Sequence, residues 1–458
     1  MVVKTGSLEG YLQDASGYRG EASQVFLPAD QRELSEVARR ATAEQVTITV
    51  AGAGTGLTGA RVPHGGYVVS LERFRKLEIE RGRARCGAGV VLQDLHEAAA
   101  KTHQFFGPNP TESTASAGGI VSTNAGGARS FHYGAVRRHV LALDVTFADG
   151  SNRRFARGDK VDFATEPVRL PPTTKNSAGY YLQPNLEWVD LLAGSEGTLA
   201  IVTEIEFALL PLPAAILSGV IFFPSDENAL QAAADWRPVP ELRLLEFMDD
   251  RALRMLEPLY PDIPKQAGAA LLVEQNLKSE DEPEVDEWLL RLKKQDAFAE
   301  SSWFGFRPAD HERFRDLRHA LPAMVTDMAR RNGFSKFGTD FAVPLPRNDE
   351  LHAYYKRRCS DVLPRQFTIF GHIGDANNHV NLLPETPEQA QAGAELIDEF
   401  AAVVVKMDGT VAAEHGIGKI KTDLLPLMYD PSDMAAMRAV KQTLDPKGML
   451  GPGTIFGN

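Results

Sequence analysis

The stretch Gly52-Ala53-Gly54-Thr55-Gly56-Leu57-Thr58-Gly59-Ala60 decides how the rest of the chain is interpreted. It follows the β-branched run Val46-Thr47-Ile48-Thr49-Val50, so it is predicted to be a glycine-rich loop that leaves a strand. In such a loop, successive backbone N–H groups can turn toward an anion because no side chain stands between them. We therefore predict that this glycine loop (residues 52–60) binds a phosphate group. A hairpin that only connects two strands is the alternative.

The spacing of three glycines in this loop also satisfies the pattern G-x-G-x-x-G, at Gly54, Gly56 and Gly59. This pattern is the fingerprint of dinucleotide-binding folds, but it requires a following helix whose N-terminus holds the pyrophosphate. Here the loop is followed by turn residues at 61–66 and then by a second strand, Tyr67-Val68-Val69-Ser70-Leu71. The sequence therefore predicts a phosphate-binding loop between two strands, and not a Rossmann fold.

Composition limits the classes of function. The chain has 458 residues, of which 43% are hydrophobic, and this is ordinary for a globular protein of two or three domains. Its net charge of -12 argues against a nucleic-acid partner, because no basic stripe offsets it. The cysteines, Cys86 and Cys359, are too few for a disulfide framework, and no apolar run is long enough to span a bilayer. We therefore expect a cytoplasmic protein without a transmembrane segment, and peripheral membrane association stays open.

The pattern of elements divides the chain into three parts. Residues 1–213 combine short strands with a segment at 106–134 whose small and hydroxyl side chains suit a backbone lying against a large flat ligand; a flexible linker is the alternative. Residues 214–408 alternate strands with helices, and residues 409–458 return to a sequence punctuated by glycine and proline. Helices are predicted at 31–44, 92–103, 226–235, 283–294, 310–331 and 386–406, and strands at 67–71, 76–80, 84–88, 141–156 (a hairpin), 216–223, 243–247 and 269–274. The predicted fold class is α+β.

A second group of residues with chemical potential lies far downstream of the glycine loop. Residues 367–383 are predicted to form a β-hairpin in which His372 ends one arm and His379 begins the other, so the two side chains can converge. Glu414 and His415 follow in a glycine-rich setting. Two histidines and a carboxylate with open coordination positions suit Zn²⁺, Mn²⁺ or Fe²⁺. We therefore predict a metal site formed by His372, His379 and Glu414; hydrogen-bonded histidines at strand ends are the alternative.

Taken together, these residues resemble the flavoproteins of the vanillyl-alcohol oxidase superfamily, which carry an FAD-binding domain of the p-cresol methylhydroxylase type. The likeness is closest to the branch with D-lactate dehydrogenase, the glycolate oxidase flavin subunit and D-2-hydroxyglutarate dehydrogenase. It covers nearly the whole chain and is carried, in the family's order, by residues 52–60, 116–127, 194–204, 372–379 and 414–418. It implies a two-part FAD-binding domain whose N-terminal part is 1–213, an α+β cap domain at 214–408, and a C-terminal segment, 409–458, that returns to the FAD and the active site.

The resemblance also implies which residues bind the cofactor. The matching positions of the glycine loop would hold the FAD pyrophosphate: Gly52, Gly54, Thr55, Gly56, Leu57 and Thr58. Those of the later glycine-rich segment would lie along the flavin and the ribityl chain: Pro108, Ser116, Gly118, Gly119, Ser122 and Asn124. A turn and strand near the adenosine or the isoalloxazine is matched by Gly197, Ile201 and Val202. Because the glycine loop contains no histidine, we expect FAD to be held non-covalently.

The implied activity is oxidation of a D-2-hydroxy acid, such as D-lactate or glycolate, to the 2-oxo acid by hydride transfer to flavin N5, assisted by the metal. His415 matches the proposed catalytic base, while Asn381 and Arg318 match groups that touch the substrate. Lys336 is a further candidate, although its spacing from Asp340 differs from that in relatives. The alternatives are a D-2-hydroxyglutarate dehydrogenase and a non-redox flavoenzyme similar to alkylglycerone-phosphate synthase. We expect a homo-oligomer that passes its electrons to an unidentified acceptor.

Overall fold

The computed structural model describes residues 1–280 and 283–457, and its N-terminal region contains two main sheets. The strands of this region are β1 (Val2–Lys4), β2 (Gln24–Leu27), β3 (Ile48–Ala51), β4 (Tyr67–Ser70), β5 (Leu77–Glu80), β6 (Arg83–Gly87), β7 (Gln104–Phe105), β8 (Val140–Thr146), β9 (Asn152–Ala156), β10 (Ile201–Ala208) and β11 (Leu210–Pro211). Its helices are α1 (Gln31–Glu44), α2 (Leu92–Ala100), α3 (Ala117–Ser122), α4 (Ser130–Tyr133) and α5 (Trp188–Leu192).

The first sheet has the strand order β1-β2-β4-β3, and it carries the glycine loop between β3 and β4. Strands β3 and β4 pair in parallel, with Ile48 opposite Tyr67. Helix α1, which was predicted, packs an apolar stripe that includes Leu34 and Ala41 into the core. The side chain of Asp30 caps this helix by accepting a hydrogen bond from the N–H of Glu33. As predicted, a strand and not a helix follows the loop.

The second sheet is antiparallel, with the order β5-β6-β10-β8-β9. Strands β8 and β9 form the predicted hairpin, in which Leu143 lies opposite Phe155, and the chain reverses at Asp149 and Gly150. Helix α3 packs against β10 of this sheet. The oxygen of Ser116 accepts from the N–H of Gly119 and so begins α3 in the middle of the glycine-rich segment.

The central domain is built on one antiparallel sheet of seven strands, in the order β15-β12-β14-β13-β17-β18-β16. Its strands are β12 (Ala215–Phe223), β13 (Leu242–Asp249), β14 (Ala269–Leu277), β15 (Trp303–Gly305), β16 (Phe337–Gly338), β17 (Phe367–His372) and β18 (Asn377–Leu382). Its helices are α6 (Asp226–Trp236), α7 (Asp250–Leu256), α8 (Pro283–Lys294), α9 (Pro308–Asn332), α10 (Asn348–Val362) and α11 (Pro387–Lys406).

Both faces of this sheet are covered, as alternation along β13 shows. Leu245 and Phe247 belong to the main core of the molecule, whereas Leu244 and Met248 belong to a second core that includes side chains of α7 and α9. From residue 244 onward, β13 therefore contributes Leu244 and Met248 to the α9 side. Glu246, which lies between them, accepts a hydrogen bond from Arg318 of that helix.

The C-terminal segment, with α12 (Leu425–Met428) and α13 (Pro431–Leu444), returns to the first sheet. The N–H of Ile48 in β3 donates to Met449 O at 2.7 Å, and the N–H of Gly451 donates back to Ile48 O at 2.8 Å. Closer to the glycine loop, the N–H of Lys419 donates to Thr58 O at 2.8 Å. The loop is thus held between its own sheet and the end of the chain.

The structure confirms the predicted α+β fold, with differences at element ends. The helix predicted for 92–103 ends at Ala100, and residues 101–103 form a turn. His103 adopts a positive φ of 55°, a conformation that does not continue a helix. In the part of the chain that the structure describes, no helix combines the length and apolar character needed to cross a bilayer.

Close backbone contact between the C-terminal segment and the glycine loop predicts an asymmetric response to two glycine substitutions. Gly418 and Gly448 have similar positive φ values, 57° and 63°. A Cβ added at Gly418 would lie 2.0 Å from Thr58 O, whereas one added at Gly448 would meet nothing within 4 Å. We expect Gly418→Ala to displace the loop and lower the Tm strongly. Gly448→Ala should cost only the backbone strain, about 1–2 kcal/mol.

Thermal unfolding of both variants beside the wild type measures this difference. Equal losses of stability would contradict the contact between the two segments.

Candidate active site

A cleft with a volume of about 1350 Å³, including its open mouth, lies along the glycine loop. Its walls come from the loop, from the glycine-rich segment around α3, from the start of β10 and from the C-terminal segment. Glu414 and His415 lie in its wall together with the loop. A ligand in the cleft can therefore contact both the loop and the group of residues around Glu414.

The glycine loop presents unpaired amides to this cleft. Within residues 1–280 and 283–457, the consecutive N–H groups of residues 54–58 donate to no protein acceptor. Their neighbours on either side do: the N–H of Ala53 donates to Ser116 Oγ at 3.4 Å and that of Gly59 to Asp14 Oδ2 at 2.9 Å. Consecutive free amides can form a concave site for an anion, such as the pyrophosphate that the resemblance predicts here.

Most of the residues predicted to bind the cofactor line the cleft. They are Gly52, Gly54, Thr55, Gly56, Leu57, Thr58, Ser116, Gly118, Gly119, Ser122, Gly197 and Val202. Ile201 does not, because it lies on the opposite face of β10 from Val202 and is fully buried in the core. Asn124 is also outside the cleft wall, where its Oδ1 accepts from the N–H of Arg137. Pro108 is buried behind the wall.

The predicted metal ligands converge. The candidate ligand atoms of His372, His379 and Glu414 all lie within 4.8 Å of one another. His372 Nε2 is 2.9 Å from Glu414 Oε1, and His379 Nε2 is 3.6 Å from the same oxygen. The β17–β18 hairpin brings the two histidines together, since Phe370 pairs with His379 two residues before His372. The arrangement offers two imidazole nitrogens and one carboxylate to a single cation.

The other ring nitrogen of each histidine is anchored, and this fixes the direction of Nε2. His379 Nδ1 donates to Thr339 O at 2.8 Å, and His372 Nδ1 donates to Glu246 Oε1. Both Nε2 atoms then face Glu414, as in metal sites whose histidines are oriented by outer partners. Burial opposes protonation of His372, but Glu246 and Glu414 outweigh it and raise the His372 pKa. A metal would compete with that proton.

The second oxygen of Glu414 is occupied by a buried lysine. Lys175, whose side chain is 1% exposed, donates to Glu414 Oε2 at 3.0 Å and forms an ion pair with Asp375 at 3.2 Å. It also donates to Gly127 O at 3.2 Å, in the segment that lines the cleft. Burial opposes ionisation of Glu414, yet His372 and Lys175 hold its pKa well below the usual range. Only Oε1 is left for a metal.

His415 lies beside this cluster and in the cleft wall. Its ring stacks on that of His379, with 5.6 Å between centroids, and its Nδ1 is 3.6 Å from Asp340 Oδ2. Asp340 also accepts from the N–H of His415 at 2.9 Å and from Lys421 at 3.1 Å. Burial lowers the His415 pKa to about 4, so the imidazole is neutral near pH 7. A neutral imidazole facing a cleft can accept a proton.

The other predicted catalytic residues lie outside the cleft wall. Arg318 is buried, and its Nε donates to Glu246 Oε2 at 2.9 Å, behind His372. Asn381 Nδ2 donates to His379 O at 3.3 Å. Lys336 precedes β16, and burial lowers its pKa; its ammonium group has no ion-pair partner among the described residues. Arg318 and Asn381 thus support the histidines, while Lys336 is a cation without a protein anion.

Sequence reasoning missed three residues of this site: Lys175, Glu246 and Asp340. Glu246 had a usable signal, because it is a single carboxylate inside the apolar strand sequence Leu244-Leu245-Glu246-Phe247-Met248. Lys175 lies in a long irregular segment, where no periodicity indicates which side chains are buried. Asp340 follows the two-residue strand β16 and had no pattern of its own.

The two domain models that match the chain both describe FAD proteins. One describes the C-terminal domain of FAD-linked oxidases and matches residues 212–455. The other describes an FAD-binding domain and matches residues 22–156. Together they cover the glycine loop, most of the cleft wall and the histidine cluster.

Similar proteins are named for the oxidation of hydroxy acids. A D-lactate dehydrogenase of Archaeoglobus fulgidus is 31% identical over 94% of this chain and 90% of its own length. A D-2-hydroxyglutarate dehydrogenase of Xanthomonas citri pv. viticola is 28% identical over 94% of this chain and 89% of its own. The solved structure of an alkyldihydroxyacetonephosphate synthase superposes with a TM-score of 0.72 at 15% identity, over 98% of this chain and 83% of its own, and so shares the fold.

The position of Lys175 predicts a large effect on stability. Lys175→Met leaves the carboxylates of Glu414 and Asp375 buried without their shared cation, which should cost about 3–5 kcal/mol. Lys160 is a suitable control, since its exposed ammonium pairs with Glu187 at the surface. Lys160→Met should cost about 1 kcal/mol or less.

Urea unfolding of the wild type and both variants measures the loss in free energy of unfolding. A chelator is included so that no bound metal can replace the charge of the lysine. A Lys175→Met variant as stable as Lys160→Met would contradict the buried ion-pair arrangement.

Proposed function

The chain belongs to the family of FAD-linked oxidases, and we propose that it oxidises a D-2-hydroxy acid to the 2-oxo acid with the help of a divalent metal. Membership makes it an FAD-dependent oxidoreductase; the substrate and the metal are the proposed part. One observation carries the proposal: the cluster of His372, His379 and Glu414 adjoins the cofactor cleft, with Glu414 in the wall of both. An acid–base residue, His415, lies at the same place.

The residues of the cleft fit FAD. The free amides of residues 54–58 suit its pyrophosphate, and small side chains around α3 leave room for a flat ring system. FAD supplies the acceptor for the two electrons and the hydrogen that leave the substrate. In the described residues, nothing in the glycine loop offers a nucleophile of the histidine or cysteine type, which supports non-covalent binding.

The donor set of the cluster fits a divalent metal such as Zn²⁺, Mn²⁺ or Fe²⁺. His372 and His379 direct Nε2 at Glu414, and Lys175 holds the oxygen of Glu414 that faces away. A divalent cation there supplies Lewis-acid polarisation of the substrate oxygens. The three protein ligands leave positions open, and a 2-hydroxy acid can offer both a carboxylate and a hydroxyl oxygen.

His415 is the proposed base for the hydroxyl proton. Its imidazole is neutral near pH 7, and Nε2 is 3.8 Å from Glu414 Oε1, so the ring lies beside the ligand that faces the substrate. Proton transfer to His415 creates an imidazolium, which Asp340 stabilises from 3.6 Å at Nδ1. Asp340 thereby compensates for the burial that disfavours the charged ring.

The substrate carboxylate needs positive charge beyond the metal. Arg318 donates through Nε to Glu246, which in turn accepts from His372. We therefore propose that Arg318 orients His372 through this carboxylate and also neutralises nearby negative charge. Lys336, which lacks a protein anion among the described residues, is the better candidate for the carboxylate itself. D-lactate and glycolate are the simplest substrates of this class. D-2-hydroxyglutarate is the second candidate, because a relative named for it matches most of the chain.

The first test of this proposal is anaerobic reduction of the bound FAD by a panel of D- and L-2-hydroxy acids. The wild type should be bleached by at least one D-2-hydroxy acid. His415→Gln should be bleached about 100- to 10,000-fold more slowly, because it removes the base. The exposed His103→Gln serves as a control and should match the wild type.

Rapid bleaching of His415→Gln would remove His415 as the base. Bleaching of the wild type by no hydroxy acid would favour the non-redox alternative.

The second test concerns the metal. The purified wild type should contain about one divalent ion per chain, and a strong chelator should abolish bleaching by substrate while FAD stays bound, because the loop amides need no metal. His379→Ala should lose the ion and His103→Ala should keep it. Elemental analysis with an absorbance spectrum of each sample measures both quantities.

Full activity in metal-free protein would contradict the role of the metal, but not the proposed oxidation of the substrate by FAD.

A further inference from the structure

Arg61 lies across the glycine loop and lines the cofactor cleft. Its Nη1 donates to Gly52 O at 3.1 Å and its Nη2 to Gly10 O at 2.7 Å. The guanidinium thus contacts the loop two residues before the free amides begin. Neither of its two acceptors is charged.

The charge of Arg61 is not neutralised by the protein. In the described part of the chain, its guanidinium forms no ion pair with a carboxylate, and its Nε is buried without a hydrogen-bond partner. Burial lowers the pKa of Arg61, and Asp14, Tyr11 and Glu72 raise it only from a distance. Burying most of a cation without a neighbouring anion costs free energy of folding. Such a cation is expected where a bound ligand supplies the anion.

The other charged side chains of the cleft wall are negative. Four of the lining residues are acidic: Asp14, Glu112, Glu196 and Glu414. Arg61 is the one lysine or arginine among the lining residues that the structure describes. The pyrophosphate of FAD carries two negative charges, and backbone amides contribute only partial positive charge. Among the described lining side chains, an FAD molecule in this cleft therefore meets one full positive charge, that of Arg61 beside the loop.

The glycine at position 54 makes this placement of Arg61 feasible. A Cβ added there would lie 2.3 Å from Arg61 Nη1, and Gly54 has a φ of 87°, which favours glycine. The loop therefore leaves space for the guanidinium as well as for the ligand. Arg61 and the residues that carry the free amides, 54–58, all line the same cleft.

We propose that Arg61 is the cationic side chain that binds the pyrophosphate of FAD and completes the anion site formed by the amides of residues 54–58. Charge-assisted hydrogen bonds to phosphate are among the strong ones, and a guanidinium suits a phosphate geometrically. The assignment rests on FAD binding by this family and is independent of the metal and of the substrate.

The test distinguishes the positive charge of Arg61 from its hydrogen bonds to the carbonyl groups of Gly52 and Gly10. Arg61→Met removes the charge, whereas Arg61→Lys keeps it but cannot reach both carbonyls as the fork does. Apoprotein of each variant is titrated with FAD, and separately with ADP, which carries the pyrophosphate without the flavin. Arg61→Met should weaken both ligands about 10- to 100-fold. Arg61→Lys should stay within about fivefold of the wild type, and rising salt should weaken the wild type more than Arg61→Met.

Arg81→Met, at an exposed arginine outside the cleft, is the matched control and should bind FAD like the wild type. Wild-type affinity in Arg61→Met would overturn the proposal. So would equal weakening in Arg61→Lys and Arg61→Met, because the arginine would then only brace the loop. If Arg61→Met does not fold, Arg61→Gln, which also removes the charge, takes its place in the same titrations and salt series.

Discussion

The candidate active site depends on the contacts of one side chain, the carboxylate of Glu414. Its Oε1 faces His372 and His379 of the central domain, and its Oε2 binds Lys175 of the N-terminal region. Glu414 itself belongs to the C-terminal segment, so three parts of the chain meet at one side chain. The next residue, His415, lines the cofactor cleft. The fold therefore places these three parts of the chain beside the cleft.

Charge alternates outward from this carboxylate. Glu246 links His372 to Arg318 on one side, and Lys175 links Glu414 to Asp375 on the other. Buried networks of this kind are stable only when every member is satisfied, because an unpaired charge is costly at low dielectric. The Nε2 atoms of His372 and His379, which converge on Glu414, are the groups that could bind a cation. The proposed metal site rests on this arrangement as much as on the identity of the ligands.

The sequence predicted what is local. The glycine loop, the strand after it and the β17–β18 hairpin follow from turn chemistry and periodicity, and the order of five motifs indicated the family. What it did not predict depends on three-dimensional direction. Ile201 and Val202 are adjacent apolar residues that the sequence alone does not distinguish. Because side chains alternate along a strand, Ile201 lies in the core and Val202 lines the cleft. Lys175 reaches Glu414 from an irregular segment, and Arg61 folds back over its own loop. No periodicity encodes such contacts.

The most direct measurement of the central claim is a crystal structure with FAD and a 2-oxo acid bound, with anomalous diffraction recorded at the metal absorption edge. The account predicts one anomalous peak within coordination distance of His372 Nε2, His379 Nε2 and Glu414 Oε1, with the 2-oxo acid between this peak and the flavin, beside His415. A 2-oxo acid bound at the flavin with no metal at these three atoms, or a metal bound elsewhere, would contradict it.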